Sequence, residues 1–201
     1  MRIYFVGAHS VGKTSLARYI SQRFRIAMLG EIARVVAAEM EVTPARLASD
    51  LDVRAAYQKR VFHRQISVER RSGDEFIADR AFDNLAYAAE FSLIGAQLLE
   101  SVEYAEYMTW VSQGLIFFIR PQRQLLPAEY LGNEGYWEGV LRLDGMIKFM
   151  LEQHRMVYIP IESSSMQERV RLVQGVLVAH DRSFSTPTLT CDSVRTPKTK
   201  P

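Results

Sequence analysis

Ile3-Tyr4-Phe5-Val6-Gly7-Ala8-His9-Ser10-Val11-Gly12-Lys13-Thr14-Ser15 decides the fold of this chain. An apolar, β-type run enters a turn of the pattern G-x-x-x-x-G-K-T and leaves through an amphipathic stretch, Leu16 to Phe24. Strand, glycine loop and helix in that order build a phosphate-binding loop. Gly7 and Gly12 let the backbone turn tightly enough for successive N–H groups to point at one anion. Lys13 reaches the outer phosphates of a nucleoside triphosphate such as ATP, and the Thr14 hydroxyl is placed for Mg²⁺. The helix that follows aims its positive end at the same anion. The nucleotide-facing residues are therefore expected to be Gly7, Ser10, Val11, Gly12, Lys13, Thr14 and Ser15. A glycine-rich turn that merely joins a strand to a helix is the plainer reading, and the register of all three parts disfavours it.

Bulk properties narrow the class. The 201 residues suit one α/β domain with a full core; 48% are hydrophobic and 24% charged, an ordinary globular balance. No apolar run approaches the ~20 residues that span a bilayer. Met1-Arg2 leads straight into the first strand with no small-residue cleavage site, so no signal peptide is expected. Cys191 is the only cysteine, and the four histidines are scattered, which leaves neither a disulfide framework nor a cysteine or histidine metal site. A cytoplasmic setting, with no membrane association, fits these features. A formal net charge of +2 does not by itself imply nucleic-acid binding.

Strands and helices alternate along the chain. Strands are expected over Arg2 to Val6, Ile26 to Leu29, Glu75 to Ala78, Leu115 to Ile119 and Met156 to Ile161. Helices are expected over Lys13 to Phe24, Glu31 to Met40, Asn84 to Leu93, Gln97 to Val111, Trp137 to Gln153 and Met166 to His180. Thr43-Pro44 reads as an N-cap with proline at the first helical position. From there Leu47, Leu51, Ala55, Phe62 and Ile66 predict one long helix that Gly73 can close. Five such strands predict a parallel sheet covered on both faces, a three-layer α/β/α fold. Residues 1–182 form the domain, with a lid at about 120–142. Ser183 to Pro201, rich in Ser, Thr and Pro, is a loosely attached tail.

Ligands of such sheets gather beyond the carboxyl ends of the strands. That rule brings the glycine loop, Glu31, Asp79-Arg80 and Arg120 to Arg123 to one cleft. No N-K-x-D guanine-reading motif is present, which argues against a regulatory GTPase.

Phe76-Ile77-Ala78-Asp79-Arg80 and the following Ala81 to Tyr87 resemble the D-R-x motif and helix of thymidylate kinases and related deoxynucleoside kinases. Glu31-Ile32-Ala33-Arg34 resembles the E-x-A-R stretch of the nicotinamide-riboside-kinase-like P-loop family, and Gly139 to Asp144 is similar to its lid. The resemblance implies a P-loop kinase fold and transfer of the γ-phosphate of ATP, with Mg²⁺, to a nucleoside or nucleoside monophosphate. A deoxynucleotide-type acceptor is favoured. Only two arginines, Arg120 and Arg123, stand in the first part of the lid, fewer than is common in thymidylate kinases.

The chemistry of these positions can be weighed on its own. Phosphoryl transfer needs positioned reactants and neutralised charge. Lys13, Glu31, Asp79, Arg80 and Arg123 are the catalytic candidates, with Glu31 taking a proton from the attacking hydroxyl. Glu31, Arg34, Arg80, Asp83 and Arg142 are candidates for holding the acceptor, and Thr14 and Asp79 for the metal. A guanidinium at a strand end suits bidentate phosphate binding. The plainer alternatives are a helix-start acid for Glu31, a helix cap for Asp79, and ion pairs to Asp83 or Glu31 for Arg80. Phe62, Tyr87 and Phe91 are candidate stacking surfaces for a base, against a core role. No role is assigned to His9.

Two other functions remain open on the sequence. The basic run Lys59, Arg60, Arg64, Arg70 and Arg71, with Arg195, Lys198 and Lys200 in the tail, motivates a kinase acting on a hydroxyl carried by DNA or RNA. A partner-regulated ATPase switch is the third. The chain is expected to act as a monomer or homodimer.

Overall fold

The computed structural model describes residues 1–91 and 94–180. Its centre is β1 (Arg2–Val6), in which Ile3, Tyr4, Phe5 and Val6 are fully buried. β1 pairs in parallel with β3 (Phe76–Asp79) on one side and β4 (Leu115–Ile119) on the other. β2 (Met28–Leu29) extends the sheet beyond β3 and β5 (Ile159–Ile161) beyond β4, giving the order β2-β3-β1-β4-β5. A central parallel strand has no solvent face, which is why β1, β3 and β4 read as continuous apolar runs.

Helices complete the α/β/α arrangement. α1 (Lys13–Phe24) buries Leu16, Ala17 and Ile20, and α9 (Met166–His180) buries Val173 and Leu177 in the same core. α8 (Glu134–Gln153) adds Val140, Leu143, Ile147, Met150 and Leu151. A smaller cluster of Ile32, Val36 and Val61 seals α2 (Ile32–Glu39) to α4 (Leu51–Arg71).

The five strands stand where expected, with β2 and β5 shorter and β3 shifted by one residue. Several helical boundaries differ, and at three of them a polar side chain caps the chain. The helix expected from Pro44 to Gly73 is broken into α3 (Pro44–Ser49) and α4. Asp50 adopts extended backbone between them, and its Oδ1 accepts from the Val53 N–H at 3.0 Å. Gly73, at φ 76, does close α4. Asn84 to Leu93 appears as α5 (Asn84–Phe91). The stretch to Val111 holds α6 (Ile94–Leu99) and α7 (Val102–Val111), parted where Ser101 Oγ accepts from the Tyr104 N–H at 3.1 Å. α8 starts three residues before Trp137, because Asn133 Oδ1 caps it through the Tyr136 N–H at 3.0 Å. The loop before it carries two single 3₁₀ turns, Arg123–Leu125 and Ala128–Tyr130. The expected tail lies outside the described residues, as do Leu93 and the side chain of Phe91.

The break at Asp50 has a measurable cost attached to it. Asp50→Ala is expected to lower stability by about 1 kcal/mol through loss of the α4 cap. Urea denaturation checks this, and an unchanged midpoint would mean that packing alone starts α4.

Candidate active site

The loop between β1 and α1 turns through three left-handed residues, Gly7 at φ 152, Ser10 at φ 58 and Gly12 at φ 86. Gly7 passes so close to the end of β4 that a Cβ there would stand 2.5 Å from the Ile119 carbonyl oxygen. Asp83 fixes the loop from beneath. Its Oδ2 accepts from the Gly7 N–H at 3.4 Å and its Oδ1 from the Ala81 N–H at 2.6 Å.

Lys13 opens α1 and is 4% exposed. Its ammonium folds back over the loop, donating to the Gly7 carbonyl at 2.6 Å and the Ala8 carbonyl at 2.5 Å. Burial, and then Arg80, push its pKa down to about 7 against the pull of Asp83, Asp79 and Glu31. A cavity of about 230 Å³ is lined by Ser10, Val11, Gly12, Lys13, Thr14, Ser15 and Arg80.

Asp79 ends β3 nine-tenths buried, and neither carboxylate oxygen has a hydrogen-bond partner among the described residues. An orphaned buried carboxylate close to Lys13, with Thr14 lining the cavity beside that lysine, fits a hard cation held through oxygen. Among the described residues no cluster of three His, Cys, Asp or Glu could hold a metal by itself. Such a cation would therefore lean on the phosphates it accompanies.

Arg80 follows in a left-handed conformation, φ 93, with its N–H donating to the Phe5 carbonyl at 3.2 Å. Its own carbonyl accepts from Gln65 Nε2 at 3.2 Å, and Gln65 Nε2 also donates to buried Glu69 at 2.7 Å. The strained backbone is thus gripped on both sides, as strain at a site requires. The guanidinium lies 5.4 Å above the Tyr87 ring and 3.8 Å from Glu31. Burial opposes its charge, but Tyr87, Asp83 and Glu31 outweigh it and the pKa is raised.

Arg80 also lines a second cavity, about 240 Å³, with Glu31, Ala33, Tyr57, Gln58, Val61, Asn84 and Tyr87. Asn84 Nδ2 is buried without a partner among the described residues. Glu31 sits at the start of α2 without capping it, so its carboxylate is left to face Arg80 and this space.

The structure thus gathers Gly7, Ser10, Val11, Gly12, Lys13, Thr14, Ser15, Glu31, Asp79 and Arg80 at one cleft. It does not gather the rest. Asp83 is fully buried with its carboxylate on backbone amides, so it shapes the loop and has no face for an acceptor. Arg34 is exposed and pairs with Glu31 at 2.7 Å, outside the second cavity. Arg123 pairs with Glu134 at the start of α8, and Arg142 stands on the exposed face of α8; neither lines either cavity. Arg120 is tied to Asp144 by two hydrogen bonds, 3.1 and 2.7 Å. Phe62 is core, whereas Tyr87 does line the second cavity.

His9 has a place that sequence reasoning missed. Its Nδ1 meets the Tyr87 hydroxyl at 3.3 Å, and its ring meets Tyr136 edge-on at 5.0 Å. Tyr136 stacks on Tyr130 at 3.9 Å and reaches Ser10 Oγ at 3.1 Å. Burial, then Lys13 and Arg80, push the His9 pKa down to about 4, so the imidazole is neutral. Nothing in the loop motif specifies an imidazole there, and only the fold brings tyrosines to both of its sides.

A family model described as an AAA domain matches residues 2–169. No curated protein matches the chain. Solved structures share the fold at low identity. Deoxyadenosine kinase from M. mycoides, with dCMP and dCDP, superposes with a TM-score of 0.59 at 15% identity, over 89% of this chain and 100% of that one. NadR protein with NAD and AMP-PNP gives 0.64 at 14%, over 87% of this chain and 48% of the other. Shikimate kinase from Acinetobacter baumannii, with shikimate, gives 0.51 at 14%, over 89% and 93%. No described helix is long and apolar enough to cross a membrane.

The close pass at Gly7 yields a direct test. Gly7→Ala puts a methyl against the Ile119 carbonyl in a left-handed backbone, and is expected to cost about 1–3 kcal/mol. Chemical denaturation measures this; parental stability would mean that the loop can shift away from β4.

Proposed function

This chain belongs to the AAA-domain family, and from that premise we propose that it is an ATP- and Mg²⁺-dependent kinase whose acceptor is an uncharged nucleoside. The observation that carries the reading is Arg80, which lines both the phosphate cavity and the acceptor cavity. A guanidinium shared by two adjoining spaces is suited to a phosphoryl group passing from one to the other.

In this reading the loop amides and Lys13 hold the triphosphate, with its γ-phosphate toward Arg80. Thr14 and Asp79 would hold Mg²⁺, which supplies charge neutralisation on the phosphate oxygens. Glu31 takes the proton from the acceptor hydroxyl as that oxygen bonds to phosphorus and the bond to the ADP oxygen breaks. Arg80 and Lys13 stabilise the charge spread over the transferred group.

Charge selects a nucleoside over a monophosphate. The ionised residues lining the acceptor cavity are Glu31 and Arg80, which face one another 3.8 Å apart. Arg34, the other cation nearby, is committed to Glu31. The lining also holds the flat faces of Tyr57 and Tyr87 and the amides of Gln58 and Asn84, groups that suit a base and its polar edge. A nucleic-acid acceptor gains no support from α4. Arg60 and Arg64 both pair with Glu39, and Arg70 lies 3.9 Å from Glu106.

Transfer of labelled γ-phosphate to a panel of nucleosides, nucleoside monophosphates, nicotinamide riboside and oligonucleotides tests the proposal. Label is expected on a free nucleoside, and Lys13→Ala is expected to lose roughly 10²–10³-fold in turnover. Label confined to monophosphates or oligonucleotides overturns the acceptor class; no transfer at all overturns the kinase.

Lys13 also makes nucleotide binding pH-dependent. Its free-state pKa of about 7 leaves it mostly neutral at about pH 8, and phosphate oxygens favour the ammonium form. Binding at pH 8 is therefore expected to take up a proton, and affinity to fall as pH rises above 7. Calorimetry in buffers of different ionisation enthalpy reads the uptake, which Lys13→Ala abolishes. An observed enthalpy for the parent protein that is the same in every buffer would refute the linkage.

A further inference from the structure

Arg169 of α9 is 1% exposed, although its side chain carries a full charge. Its Nη1 donates to the Val11 carbonyl at 2.5 Å and its Nε to the Ser163 carbonyl at 2.6 Å. Nη2 is buried and has no partner among the described residues. Burial lowers the pKa of the group, with no carboxylate opposing it. A buried guanidinium ordinarily brings an acid with it, because an unpaired charge is costly away from water. Here it has carbonyls alone, and it stands against the glycine loop. Nη1 lies 3.1 Å from where a Gly12 Cβ would be.

That position fixes one peptide. The Val11–Gly12 bond is trans, so its carbonyl and its N–H point in opposite directions. With the Val11 oxygen held by Arg169, the Gly12 N–H is turned the other way; it donates to no group among the described residues. Val11 and Gly12 both line the phosphate cavity. Glycine offers little resistance to a flip of its preceding peptide, since both signs of φ are open to it. A flip would set a carbonyl oxygen where a donor is needed, and would repel phosphate.

We propose that Arg169 is a positioning residue for the nucleotide, holding the Val11–Gly12 peptide with its N–H toward the phosphates and adding an uncompensated positive charge behind the loop. The proposal rests on the placement of the triphosphate in this loop. Through Ser163 the same guanidinium ties the segment after β5 to the loop, so two parts of the cleft share one brace.

The test is calorimetric titration of the full chain with ATP, ADP and inorganic triphosphate, for the parent, Arg169→Gln and Arg169→Lys, with ligand-free melting curves alongside. Arg169→Gln is expected to bind ATP about ten- to a hundredfold more weakly, the range for losing hydrogen bonds from a charged donor. Inorganic triphosphate should weaken in parallel, since the effect lies at the phosphates. Arg169→Lys, which keeps the charge but not the fork, should fall between parent and Gln. A merely structural arginine would lower the melting temperature and leave the affinity of the folded protein alone. ATP affinity within about twofold of parental in folded Arg169→Gln overturns the proposal. Should that variant not fold, parental ATP affinity in Arg169→Lys overturns it instead. A parent that binds ATP while a variant binds equally well defeats only this inference; a parent that binds no ATP defeats the functional reading beneath it.

Discussion

Positive charge gathered around the glycine loop is the constraint around which this molecule is organised. Lys13 is solvated by two loop carbonyls, Arg169 by the Val11 and Ser163 carbonyls, and Arg80 is partly buried between Tyr87 and Glu31. Cations removed from water are tolerated only where something else solvates or neutralises them. The sheet meets part of that demand. It sets the ends of β1 and β3 side by side, so that Asp79 and Asp83 oppose Lys13 from below. The remainder is left for an anionic ligand, and a triphosphate is the ligand that a glycine loop of this shape accommodates.

The same economy explains the arginines that stay out of the cleft. Arg123 has Glu134 near, Arg34 has Glu31, and Arg120 has Asp144 in a two-point contact. A flexible exposed cation settles on whichever acid it reaches, whereas a cation gripped by its backbone meets only the groups its position offers, Glu31 among them. Arg80 is of the second kind. Its left-handed backbone is held by Phe5 on one side and Gln65 on the other, with Glu69 anchoring the glutamine. Tyr4 and Tyr107 hydroxyls donate to Glu69 in turn, at 3.3 and 2.7 Å, so the grip on Arg80 reaches into the core.

What could be read from the sequence was local in the chain. The glycine loop spans one turn, so spacing alone fixes which residues face the anion. Asp79 and Arg80 were legible because an apolar run ends on them, and parallel strands deliver their ends to one edge. Asp83 was misplaced by the same proximity: three residues beyond Arg80 the chain has turned inward, and its carboxylate serves the loop amides. Arg169, Tyr136 and Gln58 left no signal. They lie on helices whose periodicity shows which face is buried but not which loop that face will meet. The breaks at Asp50 and Ser101 escaped for a related reason. An apolar stripe continues across each, and a single capping side chain decides between continuation and a new start.

The second cavity differs in its lining from the phosphate cavity. Its polar lining is built from amides, phenols and one closed ion pair, whereas the phosphate cavity beside it holds Lys13 and Arg80 together. Under the proposed reading, the cavity that adds Lys13 to Arg80 takes the anion, and the other takes a neutral hydroxyl compound. His9 stands at their border, in contact with Tyr87 of the acceptor side and Tyr136 of α8. Its imidazole is kept neutral by burial and by the two cations near it, so it adds no charge that would blur the division. A charged histidine at that border would draw a monophosphate toward the acceptor side; a neutral one keeps its contact with the Tyr87 hydroxyl and leaves the polarity of the cleft intact.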